Sequence, residues 1–167
     1  MSEVKKEQLL QNEESILQDI AGVLEAMETV VEYEEFEVIR DGKKLFSFRV
    51  RGLDDSEFEE CRKDATKVVK DRRLGSVAIP REFDTARFNS LIIYKATHPE
   101  DRKKLWDNKE LWKKAKDVLT GWQLIDKVLR RGEKEKCLEL IETLSGYNFD
   151  DEENEEEKGL ANTIKNS

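Results

Sequence analysis

LFSFRVRGLDDSEFEECRKDAT, residues 45–66, changes its apolar period once, and that change decides the fold. Phe46, Phe48 and Val50 alternate with Ser47, Arg49 and Arg51, the pattern of a strand with one buried face. Asp54 then stands where a helix N-cap belongs, with Glu57 three residues later for a capping box. Leu53 and Phe58 flank this pair as a hydrophobic staple, so a helix is predicted over residues 54–70. Cap and staple together contribute about 1–2 kcal/mol, enough to define where the helix begins.

Upstream, Phe36 and Val38 precede Asp41-Gly42, which makes residues 45–50 the second strand of a hairpin. A two-residue turn would place Phe36 and Val38 opposite in face to Phe46, Phe48 and Val50. A three-residue loop with a left-handed Gly42 as bulge residue gathers all five on one face, and is the expected form. Tyr33 is out of phase with Phe36, which predicts a bulge near Glu34-Glu35 or an end to the pairing there. Further upstream, Leu10, Leu17, Leu24 and Val31 recur every seven residues, with Ile20 and Met27 between them and Glu13 interrupting. An amphipathic helix over residues 6–27 follows, its stripe serving as core, as coiled-coil seam or as partner-binding face, with core the leading reading.

Downstream, residues 71–80 show no helical period and read as a loop. A helix is expected over 84–97 with Phe88, Leu91, Ile92 and Ala96 inward, stopped by His98-Pro99. Short helical pieces carrying Trp106, Trp112 and Trp122 come next, the three tryptophans read as core anchors. A last helix runs from Glu133 through Cys137, Leu138, Ile141 and Leu144 to Gly146. From Asp150 the chain turns acidic without apolar period, the composition of a disordered tail.

The chain has 167 residues, 41% of them charged, and a net charge of −8. Residues 1–37 carry −9, residues 38–149 carry +6 and residues 150–167 carry −5. This polarity is that of solvated helix faces with a disordered acidic tail, or of a basic middle offered to an anionic partner, to the chain's own ends or to those of another copy. No apolar run reaches the ~20 residues of a membrane span, and the N-terminal stretch has no apolar secretory signal, so a cytoplasmic location is expected. Cys61 and Cys137 are expected as buried free thiols.

The residues offer no active site. His98 is the single histidine and precedes a proline, which suits a surface or capping role; zinc would need more ligands than one histidine and two distant cysteines. Phosphate-binding and nucleophile motifs are absent, and cofactors are expected to be none. A nucleic-acid-binding or regulatory module is the alternative reading. Arg62, Lys63, Lys67, Lys70, Arg72 and Arg73 form one basic series, and the lysines around Trp106 and Trp112 another. Interleaved Glu59, Glu60, Asp107, Glu110 and Asp117 weaken it.

Phe48-Arg49-Val50-Arg51-Gly52-Leu53, with Glu57 and Phe58 after it, and a second segment containing Gly132-Glu133 and ending in Gly146-Tyr147, resemble the XkdN-like tail assembly chaperones of long-tailed phages and prophages. The resemblance covers residues 30–149, a chaperone-like domain; the helix over 1–29 and the tail over 150–167, read from periodicity and composition, lie outside it. The expected fold is α+β, an antiparallel hairpin with or without an added strand, packed on a small, mainly helical domain, and the resemblance adds the function. It implies a non-catalytic, non-virion protein of the host bacterial cytoplasm that binds and solubilises the tape measure protein and assists tail tube assembly. The tail tube protein and a second copy of the chain are further candidate partners; no membrane is involved. Leu10, Leu17, Ile20 and Leu24 are the candidate partner-binding residues. Phe48, Arg49, Leu53, Glu57, Phe58, Gly132, Glu133, Gly146 and Tyr147 are expected to be structural.

Overall fold

Residues 2–28, 30–71, 73, 75 and 77–147 are described by a computed structural model, in which the chain divides into two units, Met1–Val31 and Glu32–Ser167. The expected tail lies outside the described residues.

The first unit is one helix, α1 (Glu3–Met27), and no residue in it is buried. It starts three residues before the predicted point, and Val31, the last of the seven-residue series, falls beyond its end.

The second unit opens with a hairpin, β1 (Tyr33–Arg40) and β2 (Lys43–Arg51). Val38 pairs with Phe46 and Phe36 with Phe48, so the five apolar side chains do share a face. The device differs from the expected three-residue loop. Asp41 and Gly42 form a two-residue turn, both left-handed at φ 53° and 73°, and Arg40 pairs with Lys43. A bulge between Val38 and Ile39 then shifts the register, leaving Leu45 as the extra residue on β2. The turn chosen by Asp-Gly follows the right-handed twist of the strands, and the bulge restores the facing that burial demands. No bulge occurs at Glu34-Glu35. Tyr33 pairs with Arg51 and simply occupies the other face, its ring centroid 4.7 Å from that of His98.

Asp54 caps α2 (Asp55–Ala65) as the sequence predicts: its carboxylate accepts the Glu57 N–H at 2.8 Å while Glu57 Oε1 accepts the Asp54 N–H at 3.3 Å. The helix ends earlier than the predicted residue 70. The Thr66 hydroxyl donates to the Arg62 carbonyl at 2.7 Å, and Thr66, Val68 and Val69, β-branched residues that lose side-chain freedom in a helix, begin a strand instead. This strand, β3 (Thr66–Asp71), pairs antiparallel with β4 (Val77–Phe83), so the predicted loop over 71–80 belongs largely to a second hairpin. Pro80 lies opposite Val68, beside a register shift, where a residue without an N–H is tolerated.

Asp84 caps α3 (Thr85–Ala96), accepting from the Arg87 N–H at 3.0 Å. His98 caps the short α4 (Pro99–Asp101), its Nδ1 accepting from the Glu100 N–H at 3.1 Å. A π-helical turn (Arg102–Trp106), α5 (Lys109–Ala115), α6 (Gly121–Val128) and α7 (Arg131–Leu144) complete the unit. Phe48, Val50, Ile93, Trp106, Ile125 and Ile141 lie at the centre of the core, which joins β2 to α3, α6 and α7. Of the three tryptophans only Trp106 is buried; Trp112 and Trp122 are half-buried. Cys61 and Cys137 are buried and unpaired, and desolvation raises both thiol pKa values.

Candidate functional site

Carboxylates and guanidinium groups in the second unit are arranged in pairs that hold the first hairpin to the helices. Arg40, at the end of β1, donates to Glu133 Oε1 at 2.7 Å and to the Val128 carbonyl at 2.7 Å. Glu133 also accepts the Arg130 N–H at 2.8 Å, closing the first turn of α7. Arg49 forks onto Asp101, with Nε and the backbone N–H both reaching Oδ2, and Arg51 forks onto Glu57 at 2.7 and 2.9 Å. Hydrogen bonds from Arg40, Arg49 and Arg51 hold the carboxyls of Glu133, Asp101 and Glu57 below their ordinary pKa range. Groups used in this way are ionised structural partners, the opposite of a poised acid or base.

The two segments that carry the sequence resemblance meet in space. The Leu53 N–H donates to Ser145 Oγ at 2.9 Å, and Ser145 Oγ donates to the Ile141 carbonyl at 2.6 Å. Gly52 lies so close to the end of α7 that a Cβ there would stand 2.6 Å from the Leu144 carbonyl carbon. Phe48 is buried against Trp106, with ring centroids 5.1 Å apart; Leu53 is buried, and Phe58 packs on the same core. Gly146 adopts φ 110° just beyond α7, and the Tyr147 N–H returns to the Glu142 carbonyl at 3.1 Å. Gly132 has open space around it in the first turn of α7. Arg40, Asp101 and Ser145 join this set although no local pattern marks them, because their partners lie 52 to 93 residues away.

Among the described residues no cluster of three or more histidine, cysteine, aspartate or glutamate side chains is placed to hold a metal ion. A groove at the start of α3 and α7 is lined by Asn89, Leu129 and two ion pairs, Lys134 with Asp126 and Arg131 with Glu135, whose charges offset one another. Four members of the basic series of the nucleic-acid reading have partners within the chain. Arg62 pairs with Glu59, Lys67 with Glu82 and Lys113 with Glu110. Arg102 donates to the carbonyls of Tyr94, Lys95 and Thr97 at the end of α3. Trp106 is 2% exposed and unavailable to a base, and Arg87 covers the ring of Trp122 at 5.0 Å. Lys70 and Arg72 have side chains outside the described set.

The apolar stripe of α1 contrasts with all of this. Leu10, Leu17, Ile20 and Leu24 are each more than half exposed. Leu9, Ile16 and Val23, also spaced by seven and equally exposed, form a neighbouring column that widens the stripe. Their spacing is as regular as that of the leucines, so the wider face was available to sequence reasoning that followed only the leucine column.

No curated protein and no solved structure matches the chain. No helix among the described residues is long and apolar enough to cross a membrane. The family model of the phage XkdN-like tail assembly chaperone protein matches residues 14–158, a range that begins inside α1 and so extends beyond the expected 30–149 at both ends. With the two motif segments packed on each other and the family match spanning most of its length, the chain belongs to the XkdN-like phage tail assembly chaperones.

Proposed function

We propose that this chaperone binds the tape measure protein of a phage tail, keeps it soluble in the host cytoplasm and assists tail tube assembly around it, without catalysis. Docking occurs through α1, with Leu10, Leu17, Ile20 and Leu24 at the centre of the contact. The observation that carries the reading is the α1 stripe: a 25-residue amphipathic helix with no buried residue, in a chain of this family. A helix laid against a helical partner shields apolar surface on both sides, and a tape measure protein needs such cover before the tube forms. The second unit supplies the rigid, highly charged body, its nine-residue β2 strand packed on α3 and α7.

Co-expression of the full chain with its tape measure protein tests this. The expected result is a soluble complex that Leu17→Asp with Leu24→Asp disrupts, while the melting temperature of the free chain moves by no more than about 1 °C. A chain that unfolds on this double substitution would show the stripe to be core, and the docking assignment would fail.

A further inference from the structure

The net charge bordering the α1 face lies on one side only. At ~100° per residue, the face runs from the Leu9, Ile16, Val23 column, through a middle column in which Lys6 and Glu13 precede Ile20 and Met27, to the Leu10, Leu17, Leu24 column. Beyond the leucine column come Glu7, Glu14 and, at the C-cap, Glu28. Beyond the opposite edge come Lys5, Asn12, Asp19 and Ala26, which carry no net charge. All seven are exposed, and among the described residues Glu7, Glu14 and Glu28 make no ion pair.

We infer that the occupant of this face is an amphipathic helix of another protein whose apolar stripe is bordered by lysine or arginine on the side that meets Glu7, Glu14 and Glu28. The inference rests on the proposal that α1 is a docking surface and adds what that surface selects. Charges flanking an apolar seam choose the partner and its orientation. A second copy of α1 fits poorly. Antiparallel, the two glutamate columns would face each other; parallel, each would meet the partner's Lys5, Asn12, Asp19, Ala26 border and lose hydration without gaining a net counter-charge. An anionic lipid surface meets the same acidic border and is repelled.

The test uses the full chain and two synthetic 25-residue helices that share one leucine-isoleucine stripe, bordered in one by lysines and in the other by glutamates. The lysine helix should bind at least about tenfold more tightly, and raising the salt to about 0.5 M should shrink that preference. Glu7→Lys with Glu14→Lys should reverse the preference. Leu17→Asp with Leu24→Asp should abolish binding of both helices. Equal affinity for the two helices would overturn the charge assignment and leave apolar docking intact. A full chain that sediments as a dimer and becomes monomeric on Leu17→Asp with Leu24→Asp would overturn it in favour of a second copy. Binding of both helices undiminished by those aspartates would remove the docking reading itself.

Discussion

α3 buries Ser90, Ile92, Ile93 and Ala96 within twelve residues, whereas α1, twice as long and also amphipathic, buries none in twenty-five. The apolar face of α3 meets α2, α6 and α7, and its ends are fixed by Asp84 and by the hydrogen bonds of Arg102. α1 has neither buried side chains nor a side-chain N-cap hydrogen bond. Helical spacing therefore identifies which face is apolar; whether a neighbour covers it depends on contacts that periodicity does not encode.

Stability measurements sharpen the contrast most where packing is tightest. Phe48→Ala removes a buried ring that stacks on Phe46 and meets Trp106 edge-on, and should cost about 3–5 kcal/mol in chemical denaturation. Leu17→Ala, on the exposed stripe, should change stability by no more than about 0.5 kcal/mol. Equal losses at the two positions would erase the distinction between the regions.

Gly52→Ala comes next. The added methyl group would overlap the backbone at Leu144 and Ser145, and neither can turn aside as a flexible side chain would, so about 1–3 kcal/mol should be lost. Gly22→Ala in α1 meets nothing within 4 Å and should instead favour the helix by up to about 1 kcal/mol. Gly42→Val forces a β-branched residue to φ 73° and should destabilise by about 1 kcal/mol or more; an unchanged denaturation midpoint would count against the left-handed turn.

A smaller effect concerns acid. Glu133, Asp101 and Glu57 have folded-state pKa values depressed by their arginines, from ordinary values of 4.5, 3.8 and 4.5. A depressed value stabilises the fold above the unfolded pKa, and the contribution is lost as the pH falls through the folded value. The second unit should therefore melt at progressively lower temperature from about pH 4.5 downward. Glu133→Gln should be less stable at neutral pH and lose less on acidification; a parallel pH profile would show that the Arg40 pair contributes nothing.

The elements legible in the sequence are those with local causes. Asp54, Glu57 and the Leu53/Phe58 staple mark α2, Asp84 and His98-Pro99 bracket α3, and alternation from Phe46 to Val50 sets β2. The even-to-even register was readable because burial requires it. The route to it was not, since an Asp-Gly turn with a later bulge and a longer loop satisfy the same facing. β3 hid behind the charged helix before it, and the β-branched Thr66, Val68 and Val69 were the signal for it. Arg40 with Glu133 and Leu53 with Ser145 are long-range contacts with no local mark. At the candidate surface the leucine column was legible, while its exposure could come only from the structure.

Amide hydrogen exchange on the full chain, free and in complex with the tape measure protein, tests the central claim most directly. In the free chain the amides of α1 should exchange much faster than those of α3 and α7, because no buried side chain holds the helix. In the complex, protection should appear along α1 from Leu9 to Leu24 while the second unit stays as it was. Strong protection of α1 in the free chain, or new protection confined to the second unit, would contradict the account.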